Sequence, residues 1–384
     1  MKISFTGDLT CDKPLLKAAY LNDEFHFENV FFHVSELFRD SQYVVSNLET
    51  TFSEEGNYNK KAYCYNSPKV FLDAACKAGI NIFSIANNHC CDGGLPGLKN
   101  TVSELEKRNL LYMGYKGRSC TVQQDGQRVT FLSYTYGIND NGYDLEDIEK
   151  SVNVLRPYAR GKDTGFRKVI PMSWRRRIRK TIRLLKGKPT LAKSVDDYPV
   201  NESFCEKIKE DIRDAKENSD FVCVYPHMGG QFNLEIGSFS RTMAKCFEDA
   251  GADLIVANHA HIVQKYENET IPIFYCLGGL SISPSASYLI QDDMPQYSIV
   301  VHLYISEKKH KLTFSIIKCV EDENGYVTIW PVDSLYKSLT ENNKRHQLKK
   351  EAVLIYNRLL STNVDWEDFE LKKEYEIKEV KSNV

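Results

Sequence analysis

An α/β fold is predicted by three observations. Short apolar runs of strand length alternate with amphipathic stretches of helix length, glycines follow several of those stretches, and five of the strand candidates end in carboxylate, amide or imidazole side chains. In chain order the strand candidates are Ile3–Thr6, Tyr43–Ser46, Ile82–Ala86, Thr130–Tyr134, Phe221–Tyr225, Leu254–Ala257 and Ile273–Leu277. Between them Lys69–Ala78, Leu98–Arg108, Glu202–Lys216 and Phe239–Ala250 carry a helical spacing of apolar residues. Ala78-Gly79 and Ala250-Gly251 read as helix C-caps, because glycine takes the left-handed conformation there without strain. After Leu280 the pattern changes to alternating runs at Ser298–Ile305, Lys311–Ile317 and Gly325–Trp330, which predict antiparallel strands. Leu348–Leu360 predicts a helix, and the tail from Trp366 is charged and expected to be loosely attached.

The chain has 384 residues, a hydrophobic fraction of 42% and a charged fraction of 27%, values of a folded globular protein. No apolar run approaches the roughly 18 residues of a membrane span. Met1 and Lys2 lead straight into Ile3-Ser4-Phe5 with no hydrophobic leader, so a cytoplasmic place is expected. The 11 cysteines are scattered, with no C-x-x-C spacing, and are expected to be reduced thiols acting mostly as small buried hydrophobes; Cys90-Cys91, following a histidine, is the one pair with a ligand alternative.

Charge is unevenly placed. From Arg156 to Lys193 there are 14 Lys and Arg against one acid, Asp163, so a segment of +13 sits in a chain of net charge −2. This segment lies in a stretch from Ile138 to Pro199 that interrupts the strand–helix alternation and reads as an insertion. Within it Trp174, Ile178, Ile182 and Leu185 fall on one face of a helix over about 173–186, with Arg175, Arg176, Arg179, Lys180, Arg183 and Lys186 around the rest. Ser173 can cap its start, and Gly187 with Pro189 end it. Three readings stand for this helix, with Trp174, Arg175, Arg176, Arg179 and Arg183 as the contacting residues of the first two. It lies on an anionic membrane surface, grips an anionic polymer, or packs its apolar stripe on the acidic remainder. No aromatic-interleaved motif points to specific nucleic-acid recognition.

The chemistry lies after the strands. Ile3–Thr6 runs into Gly7-Asp8, Tyr43–Ser46 into Asn47-Leu48-Glu49, and Ile82–Ala86 into Asn87-Asn88-His89 with Asp92-Gly93-Gly94 behind. Phe221–Tyr225 runs into Pro226-His227-Met228-Gly229, and Leu254–Ala257 into Asn258-His259-Ala260-His261. C-terminal strand ends are where open α/β sheets bind ligands. Singly, each residue reads as a cap, a turn or a satisfied histidine; jointly, Asp8, Glu49, Asn88, His227, His259 and His261 form a mixed oxygen and nitrogen set without thiolates. That set suits one or two divalent metal ions (manganese, iron, zinc or magnesium). Two ions about 3.5–4 Å apart need a bridging carboxylate, for which Glu49 is the natural choice.

The ordered series Gly7-Asp8, Asn47-Leu48-Glu49, Asn87-Asn88-His89, His227-Met228-Gly229, His259-Ala260-His261 and Tyr275-Cys276-Leu277-Gly278 resembles the CapA family of capsule and poly-γ-glutamate biosynthesis proteins, which is similar in fold to calcineurin-like metallophosphoesterases. Tyr134-Thr135-Tyr136-Gly137 and Ala250-Gly251-Ala252-Asp253 extend the resemblance over residues 1 to about 305, the basic insertion excepted. The resemblance implies a four-layer α/β/β/α sandwich of metallophosphoesterase type over residues 1–335, interrupted by the basic helical insertion and followed by a C-terminal helix and charged tail at 336–384. It implies that Asp8, Glu49 and His261 hold one metal and that Glu49, Asn88, His227 and His259 hold the other. His89, beside Asn88, is left to protonate a leaving group or orient substrate, and Asn47, Asn87, Gln231 and Tyr275 are the expected substrate-binding positions.

The sequence departs from the pattern in places. The metallophosphoesterase Asp-x-His opening is Asp8-Leu9-Thr10, so one ligand is missing or replaced by a hydroxyl. His-Trp-Gly-x-Glu becomes His227-Met228-Gly229-Gly230-Gln231, and Gly-His-x-x-His becomes Asn258-His259-Ala260-His261. The implied function is a metal-dependent hydrolase, cytoplasmic or peripheral at the inner membrane face, that makes or trims an anionic polymer such as poly-γ-glutamate or a capsular polysaccharide. The alternative is a non-catalytic scaffold of a membrane-associated polymer-synthesis complex, binding metal or the polymer and its precursor.

Overall fold

A computed structural model describes residues 1–52, 64–139, 147–148, 150–156, 181, 193–306 and 309–377. The first part of the chain supplies strands β1 (Lys2–Leu9), a hairpin of β2 (Tyr20–Leu21) and β3 (Glu24–Phe25), then β4 (Tyr43–Leu48), β5 (Ile82–Ser84) and β6 (Leu111–Met113). The middle supplies β7 (Cys120–Gln124), β8 (Gln127–Leu132), β9 (Phe221–Val224), β10 (Leu254–Val256), β11 (Tyr266–Glu267) and β12 (Ile273–Phe274). The last part supplies β13 (Tyr297–Ile305), β14 (His310–Glu321), β15 (Val327–Pro331) and β16 (Tyr375–Glu376). One sheet runs β15-β14-β13-β1-β4-β5-β6, with β16 on β14; the other runs β11-β12-β10-β9-β8-β7. Each has a parallel centre, β1-β4-β5-β6 and β8-β9-β10-β12, with antiparallel neighbours at its margins.

The period-two alternation of strands sorts their side chains into layers. On β9, Phe221 and Cys223 enter the core between the sheets, while Val222 and Val224 face the opposite way. On β4, Val45 joins the core between the sheets and Val44 the outer one. Phe5 of β1 meets Phe131 of β8 edge-on at 6.1 Å, so the two sheets pack directly on each other. The outer face of the first sheet is covered by α1 (Lys13–Ala18), α2 (Lys69–Lys77) and α3 (Gly94–Lys107), through Leu15, Phe71, Leu72, Leu98 and Leu105. The outer face of the second is covered by α4 (Glu202–Glu217) and α5 (Ser238–Asp249), through Ile208, Ile212, Met243 and Phe247. The result is the expected α/β/β/α sandwich.

Asp12, accepting from the Leu15 N–H, and Asn201, accepting from the Ser203 and Phe204 N–H groups, cap α1 and α4, and Gly79 and Gly251 take φ of +113° and +103° after α2 and α5. The helix expected from Leu348 starts earlier, as α7 (Asn342–Leu360) behind a short α6 (Val332–Ser338). Its Ala352, Ile355 and Leu359 close the core over Phe314 and Ile316 of β14. The tail differs from expectation. Phe369 and Tyr375 are buried, and β16 pairs with β14 where β15 does not reach, so residues up to 377 are held by the sheet. The basic helix expected over 173–186 falls, Thr181 apart, outside the described residues, and with it Trp174, Arg175, Arg176, Arg179 and Arg183. All 11 cysteines are free, and all but the half-buried Cys76 are buried. Neither Cys90 nor Cys91 is among the metal-capable groups of the described residues.

Candidate metal centre

The two parallel sheet centres end side by side, and their C-terminal ends meet. Tyr225, just past β9, donates its hydroxyl to the Thr6 carbonyl of β1 and ties one sheet to the other. Gly7 is required by a close approach: a Cβ there would stand 1.8 Å from the Gly278 carbonyl oxygen, which accepts the Asp8 N–H at 3.2 Å. The β1–β4 register shifts between Phe5 and Asp8, and this turns the Asp8 carboxylate into the space between the sheets. From the second sheet, His227 N–H donates to the Tyr134 carbonyl at 2.8 Å and Met228 N–H to the Asn258 carbonyl at 2.9 Å. His259 and His261 hold φ of +111° and +57°, a left-handed backbone that costs of order 1–3 kcal/mol per non-glycine residue and aims both rings inward.

Six side chains converge. Asp8, Glu49, Asn88, His227, His259 and His261 are all buried. Their donor atoms form two groups that share Glu49: Glu49 with His227 and His259, and Glu49 with Asp8 and His261. Around His227 Nε2 lie Asn88 Oδ1 at 2.7 Å, His259 Nδ1 at 3.0 Å and Glu49 Oε1 at 3.6 Å. In the other group His261 Nδ1 is 3.1 Å from Asp8 Oδ2 and 3.9 Å from Glu49 Oε2. Asn47 Nδ2 donates to Asp8 Oδ1 at 2.8 Å and lies 3.1 Å from His227 Nδ1, so one amide touches a donor of each group. Asn87 in turn donates to Asn47 Oδ1 at 3.1 Å and the Leu48 carbonyl at 2.8 Å.

This set fits a divalent cation. Both Glu49 oxygens and His261 Nδ1 are buried without a hydrogen-bond partner, which is costly unless a cation is bound there. Around His227 Nε2, four lone-pair-bearing atoms face one another with too few protons to satisfy them. Burial, then repulsion from Asp8 and Asp92, pushes the Glu49 carboxyl well above its usual range, as befits a carboxyl whose counter-charge is a metal ion. Burial raises Asp8, but the imidazoles of His227 and His261 beside it outweigh that and hold Asp8 far below the ordinary carboxylate range. Burial lowers His227 and His259, the latter further through His227 and His261 beside it, which keeps both imidazoles in the neutral, ligating form.

His89 stands at the edge of the cluster. Its Nδ1 is 2.6 Å from Asp92 Oδ2, and its Nε2 is 3.9 Å from Glu49 Oε1. A carboxylate on Nδ1 fixes the orientation of the ring and aims Nε2 at the site. Asp92 is therefore the functional residue most clearly missed in the sequence, although its i+3 spacing from His89 was visible there. Three more were not foreseen. Asn139 lies 3.3 Å from His89 Nδ1, the Tyr65 ring 4.3 Å from the His89 ring, and the Tyr136 ring 4.5 Å from the His259 ring. Tyr136 falls in the Tyr134-Thr135-Tyr136-Gly137 run of the family resemblance, which gave it no role, while Asn139 and Tyr65 carry no signal beyond residue type.

Not every expected residue joins the centre. Thr10 does not replace the missing ligand: its hydroxyl donates to the Ser281 carbonyl at 2.9 Å, and its N–H to Ser281 Oγ at 3.0 Å. Gln231 is held by its backbone against Ser194, with its N–H on Ser194 Oγ at 2.7 Å. Tyr275 faces the outer core under α5, its hydroxyl 2.9 Å from Glu267 Oε2, and so takes a structural place instead of the expected substrate-facing one. Strand alternation explains this, since Ile273 and Tyr275 share the outer face while Phe274 between them enters the core between the sheets.

Residues 2–282 match the family described as "Bacterial capsule synthesis protein PGA_cap". The chain is 26% identical over 283 residues to the PGA biosynthesis protein CapA of Bacillus subtilis, a match spanning 72% of this chain and 62% of that protein. It is 24% identical over 336 residues to the capsule biosynthesis protein CapA of Bacillus anthracis, spanning 83% of this chain and 68% of that protein. A third similar protein, the uncharacterized protein y4sH of Sinorhizobium fredii, is 24% identical over 65% of this chain and 60% of its own length.

Proposed function

This chain belongs to the bacterial capsule synthesis protein family PGA_cap, and from that premise we propose that it is a metal-dependent hydrolase of the phosphoesterase type, acting where an anionic extracellular polymer such as poly-γ-glutamate or a capsular polysaccharide is made or trimmed. The observation that carries the reading is Glu49, whose two unpartnered oxygens each face one donor group. Asp8, Glu49 and His261 would hold one ion, and Glu49, Asn88, His227 and His259 would hold a second. Ions bound there supply Lewis acidity and lower the pKa of water in their coordination shell. The chain's own residues do the rest. Asn47 and Asn87 fix the donors, burial excludes bulk water, and His89, oriented by Asp92, delivers a proton from Nε2 to the departing group. The basic segment from Arg156 to Lys193, with Trp174, Arg175, Arg176, Arg179 and Arg183, recruits the protein to the anionic polymer or to an anionic membrane face.

One observation favours a second reading, a metal- or polymer-binding scaffold of a polymer-synthesis complex: the Thr10 hydroxyl is engaged by Ser281, so the first group has one ligand fewer than the metallophosphoesterase pattern. Elemental analysis combined with hydrolysis of a chromogenic phosphodiester in manganese separates the two. The hydrolase reading expects bound metal and turnover, both lost in His227→Ala. In His89→Ala it expects metal retained and turnover lowered about 10²–10⁴-fold. Metal without turnover on any ester or amide leaves only the scaffold.

A further inference from the structure

Arg156 is the first cation of the basic segment, and a run of aromatic contacts connects it to the metal centre. The segment leading to it is pinned by backbone pairing: Thr135 bridges His227 on one side and Val154 on the other. Thr135 N–H donates to the Asn153 carbonyl at 2.9 Å and Leu155 N–H to the Thr135 carbonyl at 2.8 Å. A residue immediately after Leu155 is therefore set by the same strand end that delivers His227. From there three ring contacts lead inward. The Arg156 guanidinium carbon lies 4.2 Å from the Tyr198 ring centroid, Tyr198 stacks on Tyr136 at 5.3 Å, and Tyr136 lies 4.5 Å from His259.

The guanidinium lacks what a structural arginine has. It is half-buried, its Nε is buried without a hydrogen-bond partner, and among the described residues no carboxylate pairs with it. Asp196 and Asp197, which precede Tyr198 in the chain, are engaged at the N-terminus of α5, where Asp196 Oδ2 accepts the Ser240 N–H at 3.2 Å and Asp197 Oδ1 the Ser238 hydroxyl at 3.0 Å. A guanidinium over a tyrosine face, with no carboxylate partner, still has N–H donors to offer an oxyanion. Gly137 lies close to the other end of the guanidinium, since a Cβ there would be in van der Waals contact with Arg156 Nη2 at 3.7 Å.

We infer that Arg156, held on the Tyr198–Tyr136 stack, is an oxyanion subsite that takes a phosphoryl or carboxylate group of the substrate next to the metal centre. This rests on the hydrolase reading only for the word substrate; the binding itself requires no turnover. The test is calorimetric titration of inorganic phosphate and, separately, glutarate into the manganese-supplemented protein at fixed ionic strength. Wild type, Arg156→Gln and Arg156→Lys are compared, with metal content and melting temperature measured on each. Arg156→Gln is expected to weaken at least one anion tenfold or more, and Arg156→Lys, which keeps the charge without the fork, about threefold, both at unchanged metal content. Loss confined to phosphate identifies a phosphoryl group, and loss confined to glutarate a carboxylate. An Arg156→Gln affinity within twofold of wild type for both anions, or a wild type that binds neither, overturns the subsite. Arg156-dependent binding in a protein without hydrolytic activity leaves the subsite standing while the hydrolase reading falls.

Discussion

A buried carboxylate with neither oxygen hydrogen-bonded is destabilising, and Glu49 is held in that condition by the strand ends around it. Burying this acid, whose carboxyl is pushed well above its usual range, implies a stability change with a definite sign. In chelator near neutral pH, Glu49→Gln is expected to be more stable than wild type by about 1–2 kcal/mol, because a neutral amide is spared the proton uptake that burying the acid requires. With manganese the order reverses: wild type gains about 2.7 kcal/mol at a metal concentration 100 times Kd, and the variant gains little. Thermal melts with and without metal check this, and an equal response of both proteins removes Glu49 from the ligand set. At this scale much was legible, because Asp8, Glu49, Asn88, His227, His259 and His261 are chemically conspicuous after apolar strands. The diversion of Thr10 to Ser281 and the pairing of Asp92 with His89 were not, since they depend on which neighbour each short side chain meets.

Among the elements, β13 carries a polar residue in the middle of an apolar strand. His302 pairs across the sheet with Ser4 of β1, which lies 2.7 Å from Nδ1, and its Nε2 is 3.1 Å from Ser315 of β14. Burial first, then the charges of Lys2 and Lys373 against that of Glu374, pull its pKa down to about 3. A histidine depressed in the folded state is neutral there while the unfolded chain, with pKa about 6.5, takes up a proton. Its contribution is therefore intact above about pH 6.5 and is lost as pH falls toward 3, at about 1.4 kcal/mol per pH unit. In chelator, urea unfolding at pH 7, 5 and 4 is expected to show a shallower loss for His302→Gln than for wild type. Parallel slopes count against the assignment. Strand and helix positions were largely readable from periodicity. The short α1, the β2–β3 hairpin, β6 and β16 were not, because two to six residues carry too little pattern.

For the molecule as a whole the charge asymmetry is the outstanding feature, with a segment of +13 in a chain of net −2. No helix among the described residues is long and apolar enough to cross a membrane. If the basic segment serves a membrane face, each cation contributes about 1 kcal/mol near anionic lipid. Replacing Arg175, Arg176 and Arg179 by alanine is then expected to lower partitioning onto phosphatidylserine vesicles by about two orders of magnitude at 0.15 M salt. Unchanged sedimentation with the vesicles retires the membrane role and leaves the polymer one.

The sequence by itself determined the α/β class, the strand ends that carry ligands and the basic segment, because periodicity and residue type are local properties of a chain. Only the tertiary structure decided that Glu49 is shared between two donor groups, that Tyr275 faces the outer core, and that Arg156 stands over the rings beside His259. Those relations depend on the register between strands far apart in the chain. A shift of one residue in any of them sends the side chain to the opposite face.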